Sequence, residues 1–220
     1  MRKIRTLAQL QEALDAEMAW RIKEVSALKM AAKANAVNWQ VFVRAGVALV
    51  YAHWEGFIKT ASEDYLSFVA SRRHRYRELK SCFAVFGLKN KLRMLIDSGQ
   101  AKPYIEAFDF VMDEMDKTAK MNMSSAIDTG SNLTSKVFAN IAVSLDIATS
   151  IYETKYNLID ESLVNRINRI AHGEYLDLKT NEFGELADEV LQIMRIYKTD
   201  LQNAASLQSY KRSTHLTPSP

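Results

Sequence analysis

The chain has 220 residues, 48% of them hydrophobic and 25% charged, with a net charge of +3. Those values describe an ordinary soluble globular protein, exclude a disordered or fibrous one, and carry too little charge to imply nucleic-acid binding by themselves. Seven Gly and three Pro leave few turn residues for a multi-stranded sheet, while Ala, Leu, Lys, Glu, Arg and Met dominate, so the expected fold class is all-α.

Thr6, with Gln9 three residues on, fits a capping box and predicts a first helix through Leu10, Leu14, Met18, Ile22, Val25 and Leu28 toward Ala34. Asn38 is expected to cap a second helix over about 39–70, apolar around most of its circumference between Val41 and Ile58 and therefore central. The most apolar run, Val41 to Trp54, contains Arg44 and His53 and falls short of the roughly 20 residues that span a bilayer, so no membrane anchor is expected. Arg44, Tyr51 and Glu55 fall at i, i+7 and i+11, on one stripe of this helix. Charges on a mostly buried helix are usually held by an ion pair or sit at a rim, and a lone His53 is more often a bonded core histidine than a catalyst.

Basic residues cluster from Arg72 to Arg93 against only Glu78, a patch able to track phosphates, whereas Glu106 to Asp116 is acidic. Ser81 to Ile96 reads as a shorter helix ended by Asp97-Ser98-Gly99-Gln100. Pro103 begins another helical pattern to about Met123, and Ser124 to Asn132 is a loop. Leu133, Val137, Ile141 and Leu145 support a further helix, Tyr152 to Ile159 a connector, and Asp160 a cap for a short helix ending at His172. Tyr175 to Leu178 is the one strand-like candidate, and Glu182 to Ala205 the last long helix. One domain over 1–208 is expected, with a frayed tail over 209–220. The single cysteine, Cys82, cannot pair internally, and the N-terminus lacks the apolar core of a signal peptide, which points to a cytoplasmic protein.

No phosphate-binding glycine loop, dinucleotide fingerprint, HExxH or GxSxG is present, and four His with one Cys at wide spacing make no usual zinc site. Neither a metal nor another cofactor is therefore expected, and Cys82, among apolar neighbours, reads as an inert thiol. What remains is Leu163-Val164-Asn165-Arg166-Ile167-Asn168-Arg169-Ile170-Ala171-His172-Gly173-Glu174. Its apolar residues recur at helical spacing and leave Asn165, Asn168, Arg169 and His172 on the complementary face, with Arg166 about 120° around the axis from His172. Metal-free RNA cleavage uses the ribose 2′-hydroxyl as nucleophile and needs a proton carrier plus cations for the phosphorane. His172 can exchange a proton near neutral pH, Arg166 or Arg169 can offer forked donors, and Asn168 can orient the imidazole or bind a phosphate oxygen.

The Arg166 to His172 spacing, with a polar residue between, resembles the motif of the HEPN superfamily, whose prokaryotic members often act as RNases in defence and toxin systems. Asn168 to Glu174, Tyr51 to Lys59, and Ser131-Asn132-Leu133 with Val137 look like the MAE-type, RiboL-PSP-like branch, and the matches run from about residue 44 to 195. Relatives of this type place an arginine directly before the Asn, where this chain has Ile167. The resemblance implies a helical bundle dimerising through its motif helices, with Arg166, Asn168 and His172 catalytic and Arg169, Arg44, His53 and Glu55 as candidate substrate contacts. It implies RNA as substrate and an antitoxin or defence-system protein as a further partner. The departure at Ile167 leaves a second expectation, a HEPN module that binds RNA or a partner without cutting.

Overall fold

The computed structural model describes residues 2–34, 37–87, 101–121 and 127–213. The expected helix beyond residue 87 and its stop at 97–100, the bases Lys89, Lys91 and Arg93, and the end of the tail from 214 lie outside them. The described elements are α1 (Leu7–Ala34), α2 (Trp39–Ser71), a 3-10 turn (Tyr76–Glu78), α3 (81–87), α4 (Ala101–Glu114), α5 (Ser135–Ser144), a 3-10 turn (Glu153–Lys155), a π-helical segment (Leu158–Val164) running into α6 (Asn165–Ala171), and α7 (Thr180–Ser206). Among the described residues there is no strand, only two isolated bridges, Arg75 to Thr118 and Leu79 to Lys211. Tyr175 to Leu178 forms no strand, and buries Leu176 and Leu178.

The Thr6 capping box forms as expected: Gln9 N–H donates to Thr6 Oγ1 at 3.1 Å, and Thr6 N–H to Gln9 Oε1 at 3.2 Å. Asn38 occupies the N-cap position of α2 without a side-chain capping bond. α2 packs on α1 and α7, which also pack on each other. By length and composition α2 is apolar enough to cross a membrane, longer than the run from Val41 to Trp54 suggests, but half of its most apolar window is buried inside this fold. A Cβ on Gly46 would lie 2.3 Å from Phe183 Cζ, so the absence of a side chain there lets the first turn of α7 settle on α2.

The loop before α5 is tied to α2 through one fully buried residue. Leu133 donates its N–H to Tyr51 Oη at 3.0 Å and its carbonyl accepts from Trp54 Nε1 at 3.1 Å. Thr134 then caps α5, and Phe138 of that helix packs against Trp54, Tyr152 and Tyr197 at ring separations of 5.2, 5.0 and 5.5 Å. Asp160, expected to cap the motif helix, does something else. Its carboxylate accepts from Ser135 N–H at 2.7 Å and from the Ser135 hydroxyl at 2.5 Å, so it secures the start of α5 from inside the π-helical segment. The motif helix needs no cap of its own because that segment feeds directly into it.

Two further expectations are corrected. The basic patch is partly neutralised internally: Arg77 pairs with Asp116 at 2.6 Å, Arg75 lies 3.9 Å from the same carboxylate, and Lys80 pairs with Asp146. The tail does not fray at residue 209. Tyr210 is buried against Phe68, His74 and Phe83, and its carbonyl accepts from Lys80 N–H at 2.9 Å, so an isolated aromatic side chain, invisible to periodicity, holds 209–213 in place.

Beneath the N-terminus lies an ionic cluster. Glu17 pairs with Arg21 and Arg2, both at 2.5 Å; burial would raise its carboxyl, but the two arginines outweigh that and hold it below the ordinary value. Asp64, only 2% exposed, has Arg2 no closer than 4.0 Å, and burial pushes its carboxyl up from 3.8 to about 6.

Replacing Tyr210 by Ala empties an aromatic site and should cost about 3 kcal/mol, read as a lower denaturant midpoint with an unchanged slope. Because the folded value for Asp64 lies above its unfolded one, the ionised carboxylate opposes folding, and stability falls as pH rises from about 4 through 6. Asp64→Asn should therefore raise stability by about 1–3 kcal/mol at pH 8 and by almost nothing at pH 4; equal gains at both pH values would contradict this.

Candidate functional site

α6 ends in a Schellman motif. Gly173 takes φ +75°, its N–H donates to Ile170 O at 3.1 Å, and Glu174 N–H donates to Arg169 O at 2.9 Å. The backbone thereby turns sharply just after His172, whose ring is exposed and makes no hydrogen bond among the described residues. The apolar residues Ile167 and Ile170 pack against the core and hold the helix by its other face.

Asn168, one turn before His172, is half-buried and fixed from the far side. Asn132 Nδ2 donates to Asn168 Oδ1 at 3.0 Å, and Tyr51 Oη donates to Asn132 Oδ1 at 3.2 Å. Glu55, next on the Tyr51 stripe, accepts the Thr129 hydroxyl at 2.8 Å. Burial raises the Tyr51 hydroxyl to about 12, with the Leu133 N–H opposing and Glu55 adding, so Tyr51 keeps its proton at physiological pH.

The cations divide into two groups. Arg44 Nη1 donates to Glu174 O at 2.6 Å, while Arg169 Nε pairs with the Glu174 carboxylate at 3.0 Å and its Nη2 donates to Tyr175 O at 2.9 Å. Both thus converge on the turn that follows His172. Arg166 instead lines a cleft of about 830 Å³ between the π-helical segment and α7, together with Lys155, Glu182, Glu185, Asp188 and Glu189. Burial lowers its guanidinium from the ordinary value, Glu182 opposes that and Arg169 adds to it; an arginine still remains charged.

Of the stripe read from the sequence, Arg44 reaches the turn after α6, while Tyr51 and Glu55 reach the loop before α5 at Asn132 and Thr129. Asn168, Arg169 and His172 lie together on α6, whereas His172 is not among the residues that line the cleft holding Arg166. His53 lies elsewhere again. It is 3% exposed, stacks edge-on against Trp20 at 5.1 Å, and has Glu24 3.0 Å from Nε2. Burial lowers its pKa, with Glu24 opposing and Arg21 adding, so it serves the α1–α2 contact rather than the end of α6. Asn132 and Thr129 carried no local chemical signal, since their partners are distant in the chain. Cys82 is half-buried, with its thiol raised by burial. No group of three or more His, Cys, Asp or Glu suited to a metal occurs among the described residues.

The chain matches the RiboL-PSP-HEPN family over residues 16–203, which takes in part or all of every helix from α1 to α7, and it belongs to that family. No curated protein and no solved structure matches it. Membership is in keeping with the all-helical fold and with RNA cleavage or nucleotide binding as the broad kind of activity.

Gly173→Ala places a side chain at a left-handed φ, and should cost about 1 kcal/mol in a thermal melt. The same substitution at Gly184, inside α7 at ordinary φ and with 3.7 Å to the nearest atom, should be neutral or stabilising.

Proposed function

We propose that this protein is a metal-independent endoribonuclease, acting in the cytoplasm as a toxin or defence effector and held in check by an antitoxin or defence-system partner. The observation that carries this reading is the exposed, unbonded imidazole of His172 at the end of the family's motif helix, beside an asparagine anchored from behind. In the reaction the ribose 2′-oxygen attacks the neighbouring phosphorus, the bond to the 5′-oxygen breaks, and a 2′,3′-cyclic phosphate and a free 5′-hydroxyl result. One imidazole accepts the 2′-hydroxyl proton and another delivers a proton to the departing 5′-oxygen. A homodimer paired through α6 supplies both from two copies of His172. Asn168 and Arg169 meet the phosphate oxygens, with Arg44 holding the turn on which Arg169 also rests. Arg166 joins this site only where pairing or bound RNA draws it out of its acid-lined cleft. Glu55 acts by bracing the loop, through Thr129.

Purified protein should cleave RNA in EDTA, and His172→Ala should slow it by about 100-fold or more without lowering the melting temperature. Equal rates for both proteins would overturn the assignment.

A second reading, a HEPN module that binds RNA or a partner protein without cutting, is favoured by Ile167 packing inward and by the acidic surroundings of Arg166. It predicts salt-dependent RNA binding with no turnover by the wild type.

A further inference from the structure

Asn168 has an amide whose two ends do opposite things, and what faces outward is decided behind it. The Tyr51 hydroxyl has one proton, and its oxygen already accepts Leu133 N–H at 3.0 Å. Its proton is directed to Asn132 Oδ1, 3.2 Å from the Tyr51 oxygen, while the Glu55 carboxylate, which accepts the Thr129 hydroxyl at 2.8 Å, is a second acceptor within hydrogen-bonding reach of Tyr51. With its oxygen turned to Tyr51, Asn132 offers Nδ2 to Asn168 at 3.0 Å, and only the Asn168 oxygen can receive it. The Asn168 Nδ2 takes no part in this chain of bonds and has no hydrogen-bond partner among the described residues, and Asn168 shares its face of α6 with His172.

We propose that Tyr51 and Asn132 are positioning residues that transmit one hydrogen-bond polarity from α2 through the loop to α6, and so fix Asn168 as an N–H donor to a phosphate oxygen of bound RNA. This rests on the nuclease reading for its ligand, and it selects between the two roles open to Asn168 from sequence: an amide that presents N–H groups binds an anion. Neither Tyr51 nor Asn132 needs to touch RNA. Their work is to stop the amide from turning its oxygen toward a phosphate, which would replace attraction by repulsion.

The informative variant is Asn132→Asp, which has room for both neighbours but accepts only. The introduced carboxylate still receives the Tyr51 proton and forces Asn168 to turn its Nδ2 inward, so the fold keeps its bonds while the outward polarity reverses. Cleavage of RNA, and binding of an RNA carrying a 2′-deoxy residue at the scissile position, are measured for wild type, Asn132→Asp, Asn132→Ala, Asn168→Ala and the double variant Asn132→Asp with Asn168→Ala. The Asn168 side-chain amide is followed by nitrogen-15 NMR. The expected result is a loss of about 10- to 100-fold in affinity and in kcat/KM for Asn132→Asp, a smaller loss for Asn132→Ala, and no further loss when Asn132→Asp is added to Asn168→Ala. The Asn168 amide protons should exchange readily in the wild type, shift on RNA addition, and become protected in Asn132→Asp. Additive losses, or an Asn168 amide that ignores both RNA and Asn132→Asp, would overturn the proposal. So would the reverse polarity, with the Tyr51 proton on Glu55, which makes Asn132→Asp silent. If the wild type binds the deoxy-substituted RNA with this pattern yet cuts no RNA, the nuclease reading fails while the positioning role stands; if it binds no RNA, both fail.

Discussion

The arrangement of the candidate site depends on how the two backbone groups of Leu133 are satisfied. This residue belongs to a loop, yet it is fully buried, and a buried N–H or carbonyl without a partner costs about 1–3 kcal/mol. Tyr51 and Trp54, one turn apart on α2, supply both partners. That requirement explains why a helix apolar around most of its surface carries a hydroxyl and an indole N–H at these two places. Once Leu133 is seated, Asn132 is held within reach of α6 on one side and Thr134 opens α5 on the other. Asp160 then joins the start of α5 to the segment that leads into α6, which closes the circuit from α2 through the loop and back to the motif helix.

Much of this was legible in the sequence wherever the signal is local. α1 announced itself by the Thr6 to Gln9 box, α2 by a surface apolar around most of its circumference, α7 by apolar periodicity, and α6 by its apolar face. The stripe of Arg44, Tyr51 and Glu55 followed from helical geometry alone. The failures share a physical cause, which is a polar or aromatic group whose partner is far away in the chain. Asp160 looks like a local cap, but Ser135 takes its carboxylate in place of the nearby backbone. Tyr210 sits in a polar tail with no periodicity and is nonetheless drawn into an aromatic cluster. Asn132 could be noticed as part of a family element, but its work between Tyr51 and Asn168 appears only when three elements meet.

Charge also rearranges on folding. The bases at 75 and 77 and the acid at 116, which in sequence belong to separate positive and negative blocks, meet once the chain folds, so that one carboxylate offsets part of the charge of two arginines. Near α6, Arg44 and Arg169 direct donors to backbone carbonyls of the same turn, where they meet no full neutralisation, since among the described residues Glu174 offers the only carboxylate paired there. A guanidinium has five N–H donors, so such a contact fixes its orientation while leaving donors to spare.

The position of Ile167 bears on how this branch of the fold distributes its cations. Ile167 packs against the core, so an arginine in its place would have to carry its guanidinium out past that contact or bury it. In this chain hydrocarbon occupies the inward position, and the charge on either side of it goes two ways: Arg166 toward α7 and its acids, Arg169 toward the turn after His172. The Schellman turn gives the second direction its anchor, because it brings Glu174 and Tyr175 back alongside the helix end and provides Arg169 with a fixed seat. A helix that continued past residue 172 would carry those seats away along its axis, and the arginine would lose its orientation even with every side chain intact.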